Sequence, residues 1–284
     1  GVQTCALPIF TTPGGLSASA GTGNDFTFFS TPTVTSLSPA KGPTSGATSV
    51  VITGTNFTGS TAVSFGSTAA TSFTVDSATQ ITATSPAGAA GTVNVTVTNP
   101  GGTSSTSGTG DDFTYWAAPT VTSLSPTGGT FAGGTSVIIT GTNFDGVSGA
   151  AAVKFGATNA TSYTVNSTTQ ITAVAPAGAA GLVNVTVVAT GGTSSTAGTG
   201  DDYVYYDTPT ISSYTPTAGP SNGGTIVVIT GTKFIGANSV KFGTLSATSV
   251  TVNSATQITA VTPSGLTNNL NVTVGNPLFT SAAA

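Results

Sequence analysis

Apolar and polar residues alternate in short runs along this chain, and the runs recur. Val50 and Ile52 share one face before Gly54 breaks the run, and Val63 and Phe65 flank Ser64. Phe73 and Val75 follow, and Ile81 and Ala83 lead towards Pro86. Val93, Val95 and Val97 alternate with Asn94 and Thr96, and Phe113 and Tyr115 close the series. A period of two puts one set of side chains on one face of an extended strand. Gly and Ser/Thr clusters separate the runs, and no stretch carries helical periodicity or helix caps. The pattern predicts an all-β chain of antiparallel two-sheet sandwiches with Val50, Ile52, Phe65, Ile81, Val95 and Tyr115 pointing inward.

The same series is written again downstream. TPTVTSLSP at 31–39 returns at 118–126 and 208–216, and ITGTNF at 52–57 returns at 139–144 and, as ITGTKF, at 229–234. Pro32, Pro119 and Pro209 set the periods, 119 − 32 = 87 and 209 − 119 = 90. The three extra residues fall in the Asp145–Ala152 loop, where insertion is tolerated. A period near 90 is too long for a solenoid unit and fits a small sandwich of about 100 residues. The expected domains are 32–118, 119–208 and 209–284. Residues 11–31 read as the orphan final strand of a preceding repeat plus a linker, because Gly14–Phe29 matches Gly101–Trp116 and Gly191–Tyr206. The repeat from Pro209 is expected to lack that same final strand and to leave an open edge near Val272 and Val274. Residues 1–10 match no repeat. GVQTCALPI reads as translated sequencing read-through, with a leader remnant as the alternative, and LPIF after Cys5 does not suit a lipidation signal.

The ordered series P-x-V-x-S-L-S-P, G-G-T-x-V-x-I-T-G-T-N-F, V-x-F-G, Q-I-T, P-A-G, V-x-V-T-V and F-x-Y resembles the IPT/TIG domain from Pro32 onward. The resemblance implies the immunoglobulin-like fold of plexins, certain transcription factors and bacterial surface proteins, in an elongated array. The DNA-reading members rely on a partner domain and basic loops. Neither is written here, so the resemblance implies the bacterial surface branch.

Composition sharpens this. Only 4% of residues are charged, against roughly 25% in a typical soluble domain. Eight Asp and four Lys give a net charge of −4, with no Glu, Arg, His or Met. Nucleic-acid binding needs clustered cations to neutralise phosphates, and four scattered Lys do not supply them. No apolar run approaches the roughly 18 residues of a membrane-spanning helix, so no membrane insertion is expected in this segment. The single cysteine, Cys5, excludes an internal disulfide.

Candidate chemistry is sparse. Without His or Glu, no general acid–base constellation is written, so no catalytic residue is expected. Asp111–Asp112 recurs as Asp201–Asp202, and with Asp207 these carboxylates are the one candidate set for Ca²⁺. The simpler reading is that they end the Gly-Thr-Gly turn and start a strand, with no cofactor. Lys154 and Lys241 alternate away from the core, against an isopeptide crosslink. Phe29, Trp116 and Tyr206 share one position just after the final strand. They read as interdomain wedges, or alternatively as platforms on which sugar rings stack. Phe26 and Phe28 in the orphan strand are candidates for strand donation to another molecule.

These readings converge on a non-catalytic extracellular or cell-surface array, a stalk, spacer or set of adhesive modules, cut from a larger bacterial protein. Its expected partner is a surface protein or glycan. The alternatives are a carbohydrate-binding accessory region of a polysaccharide-active enzyme, and a filament subunit that self-associates head-to-tail.

Overall fold

The structure is a computed structural model, and it describes residues 3–6, 11–12, 15–16, 25–267 and 270–284. Asn24 and most of the segment before it lie outside the described residues. The chain divides into two compact units, residues 1–118 with 190–192, and residues 119–189 with 193–284. Among the described residues there is no helix, and so none long and apolar enough to cross a membrane.

The first unit holds one complete sandwich. One sheet runs Thr33–Ser38, Ser49–Thr55, Gln80–Thr84, Ser72–Ser77, all antiparallel. The facing sheet runs Lys41–Pro43, Asp112–Trp116, Gly91–Asn99, Ala62–Phe65, Thr68–Ala69, with Gly102–Thr103 also pairing Gly91–Asn99. Only the Lys41–Pro43 pairing is parallel in that sheet. Val50, Ile52, Phe65, Ile81, Val95 and Tyr115 are all buried, as the alternation predicts. Val93 is only half-buried and packs on the core from the side. Gln3–Ala6 pairs antiparallel with Asp25–Phe28.

Phe57 is fully buried although it follows the strand rather than lying in it. Asn56 adopts a left-handed φ of 58°, which Asn tolerates, and the chain turns there. Gly54 clears the space into which the Phe57 ring folds; a β-carbon on Gly54 would sit 2.5 Å from Phe57 Cζ. Phe144 and Phe234 repeat this arrangement beside Gly141 and Gly231.

The second unit holds the second and third repeats. The second reproduces the first strand for strand, with Asp202–Tyr206 as its final strand. The third keeps the sheet Thr210–Thr215, Ile226–Thr232, Gln257–Val261, Ser249–Ser254. Its facing sheet is reduced to Leu245–Ser246, Ser239–Phe242 and Val272–Gly275. The expectation of an open edge at Val272 and Val274 is corrected here. Both residues are buried, and the chain after them turns back onto their strand. Ser281 N–H donates to the Val274 carbonyl, and Val272 and Ala284 exchange backbone hydrogen bonds of 3.1 Å. Ser281 Oγ also accepts from Val274 N–H, as Ser104 does from Val97 and Ser194 from Val187.

Candidate functional site

Three places bring chemistry-bearing residues together: the acidic turns, the repeat junctions and a groove in the third sandwich. In the acidic turns the two carboxylates differ. Asp111 and Asp201 are nearly fully buried, and the Oδ2 atom of each has no hydrogen-bond partner in the protein. Asp112 Oδ1 accepts from Asn94 Nδ2 at 3.1 Å, and Asp202 Oδ1 from Asn184 Nδ2 at 3.2 Å. Alternation alone does not mark these Asn residues as partners of the acids, although V-N-V-T-V places them opposite the acids at fixed register. Among the described residues no three acidic, His or Cys side chains converge as a metal cluster. Asp207 is engaged elsewhere, in an ion pair with Lys233 at 2.6 Å.

At the junctions, side chains grip the entering linker. In the first unit Asn99 Nδ2 donates to the Ser30 and Asn56 carbonyls, and Asn56 Nδ2 donates to the Thr31 carbonyl. In the second unit Asn276 Nδ2 donates to the Asp207 carbonyl at 2.8 Å, and Lys233 holds the Asp207 carboxylate. The aromatic residues of the shared position sit close by. Gly59 lies so near the Phe29 ring that a β-carbon would come within 2.9 Å, and Gly236 meets Tyr206 in the same way at 2.5 Å. Trp116 is half-buried, with Lys41 Nζ 5.2 Å from its ring centroid. Phe28 is 54% exposed, and Phe26 lies in the same strand, Asp25–Phe28.

The Lys233 ammonium beside Asp207, helped by the Thr208 amide, holds the Asp207 carboxyl below the usual carboxylate range. A depressed carboxylate pKa adds stability that is full above the unfolded value of about 3.9 and is lost as pH falls through the lower folded value. The melting temperature of the third repeat should therefore fall as pH drops below about 5, and Lys233→Ala should flatten part of that fall. Differential scanning calorimetry of the two proteins checks this. Identical acid profiles would contradict it. At the alkaline end, burial pushes the Tyr205 hydroxyl up to about 12, with Tyr203 adding to the effect.

The groove of about 470 Å³ lies between the two sheets of the third sandwich, lined by Tyr214, Val227, Phe242, Leu266, Leu270 and Val272. The corresponding space in the other repeats is filled by aromatic side chains of the final strand. Phe113 packs edge-to-face on Phe65 at 5.1 Å and on Tyr115 at 5.0 Å. Tyr203 packs likewise on Phe155 at 4.9 Å and on Tyr205 at 5.1 Å. Tyr115 and Tyr205 also donate to the Pro86 and Pro176 carbonyls at 2.9 Å.

Solved structures of similar shape include the full extracellular region of plexin A4, 22% identical, at a TM-score of 0.41, covering 86% of this chain and 22% of that one. A surface glycan-binding protein from Prevotella bryantii is 17% identical at 0.32, covering 59% and 41%. Invasin, a bacterial integrin-binding protein, is 15% identical at 0.26, covering 89% and 59%. The chain thus spans less than two thirds of each, and superpositions this loose assign it no role. No curated protein matches it. The IPT/TIG domain model matches residues 32–115, 119–205 and 209–283. Matched in this way over most of its length, the chain belongs to the IPT/TIG domain family.

Proposed function

We propose that the chain is a non-catalytic part of an extracellular or cell-surface protein, in which successive sandwiches act as a stalk or spacer and present adhesive surfaces. The observation that carries this reading is the junction between the second and third repeats. The linker there has almost no slack, and three contacts hold it. Tyr206 packs against Gly236, Asn276 grips the Asp207 backbone and Lys233 grips its carboxylate. A short linker fixed at its backbone and its side chain transmits orientation from one domain to the next. Sugar stacking on Phe29 or Tyr206 would have to displace rings already packed against Gly59 and Gly236. The spacer reading asks for no such rearrangement.

Spin labels at Thr168 and Ala255, both exposed, test the reading in the full chain with Cys5→Ser. Pulsed dipolar spectroscopy should give one narrow distance distribution. Combining Asn276→Ala with Lys233→Ala should roughly double its width by freeing the linker. A broad distribution in the parent protein would overturn the stiff-spacer reading.

A further inference from the structure

We propose that the acidic turns of the first and second repeats are calcium sites, each built on one buried carboxylate, Asp111 or Asp201, and on backbone oxygens gathered around it. The two acids of each turn are not equivalent. Asp112 and Asp202 stand on the outer face of the final strand, and an Asn amide already donates to the Oδ1 of each. Asp111 and Asp201 are only 2% and 1% exposed, and their Oδ2 atoms accept no hydrogen bond. A carboxylate taken out of water without a donor or a counter-charge is strongly unfavourable. The chain's own cations do not meet it. Among the described residues the one ion pair is that of Lys233 with Asp207.

Further oxygens close on the same turn. The strand Thr33–Ser38 bulges between Val34 and Ser36, which leaves Thr35 without a partner residue on Ser49–Thr55. The Thr35 carbonyl oxygen lies against Gly110, the residue before the buried acid, and a β-carbon on Gly110 would land on it. Only glycine lets the two backbones come so close. In the second repeat Thr122 occupies the same bulge, and its carbonyl oxygen lies against Gly200 in the same way. The turns add the carbonyls of Thr109 and Thr199, which accept only long bonds of 3.4 Å from the Asp112 and Asp202 amides. Buried acid, bulge carbonyl and turn carbonyl thus occur together in both repeats.

A hard cation with an all-oxygen, irregular shell suits such a set. Calcium accepts six to eight oxygens in flexible geometry, backbone carbonyls and waters among them, whereas magnesium demands an octahedron and gives up water reluctantly. The way in runs through the loop. Residues 105–109 and 195–199 are exposed in both repeats, so the loop can lift without opening the core. With a single carboxylate, affinity belongs to the weak extracellular range of about 10⁻⁴–10⁻³ M. Bound calcium would tie the loop that leads into the final strand to the first strand of the sandwich. It would brace each repeat where the chain enters it.

Calorimetric titration of the full chain with calcium chloride tests the proposal. One site at Asp111 and one at Asp201 should fill, and magnesium should bind about tenfold more weakly or worse. Asp111→Asn should remove one site, and Asp111→Asn with Asp201→Asn should remove both. Asp112→Asn should keep both, because that carboxylate is turned to Asn94. Hydrogen exchange of the unaltered chain supplies a readout that does not depend on how the variants fold: calcium should slow exchange at 104–112 and 194–202. No binding up to about 10 mM calcium, well above the expected range, overturns the sites. Unchanged binding in the double variant does so too, as does a loss in Asp112→Asn equal to that in Asp111→Asn, or protection confined to other segments.

Discussion

Phe65→Ala is expected to lower the stability of the first repeat by about 3–5 kcal/mol, a large-to-small change at a fully packed site. Phe65 is buried and lies edge-to-face on Phe113, which in turn stacks on Tyr115. Removing the ring leaves a cavity between the two sheets and deprives Phe113 of its partner. Trp116, the single tryptophan, ends the final strand of that repeat, so its fluorescence in a denaturant titration follows this sandwich. A loss below about 1 kcal/mol would contradict the central place given to this ring.

A comparable effect is expected from an addition. Gly54→Val should cost about 3 kcal/mol or more, at the upper end of overpacking effects. The strain is steric rather than conformational. A β-carbon at Gly54 would land on the Thr33 carbonyl oxygen of the neighbouring strand and 2.5 Å from Phe57 Cζ. The strand pairing and the Phe57 ring cannot both stay in place. Gly141 and Gly231 meet the same obstacles, the Thr120 and Thr210 carbonyls and the rings of Phe144 and Phe234. The same fluorescence titration reads the result, and a change within about 0.5 kcal/mol would show that the strand has room to shift.

Much of this architecture is legible in the sequence because one-sided burial writes itself as alternation. Val50 with Ile52 and Val95 with Val97 face inward as their spacing requires. Phe57 escapes that logic. It follows a turn rather than a strand, and its burial depends on the missing side chain of Gly54 and the left-handed Asn56. Asn99 escapes it for another reason. It occupies an inward position where alternation asks for an apolar residue, and it is buried because its amide hydrogen-bonds the Ser30 and Asn56 carbonyls. The return of the last residues onto Val274 is masked by dissimilar flanking residues. Its signal is the spacing of seven from Val274 to Ser281, the same as from Val97 to Ser104. At the acidic turns, sequence alone gives the paired carboxylates. The burial of Asp111 and the Asn94 contact of Asp112 follow from a strand register that only the fold supplies.

The central claim is that this chain is a series of separate sandwiches, one to each matched repeat. Pulling the full chain from its ends tests that claim most directly. The repeats of 87 and 90 residues should each release about 300 Å of chain in a separate step. A single step that releases the whole chain would contradict this account.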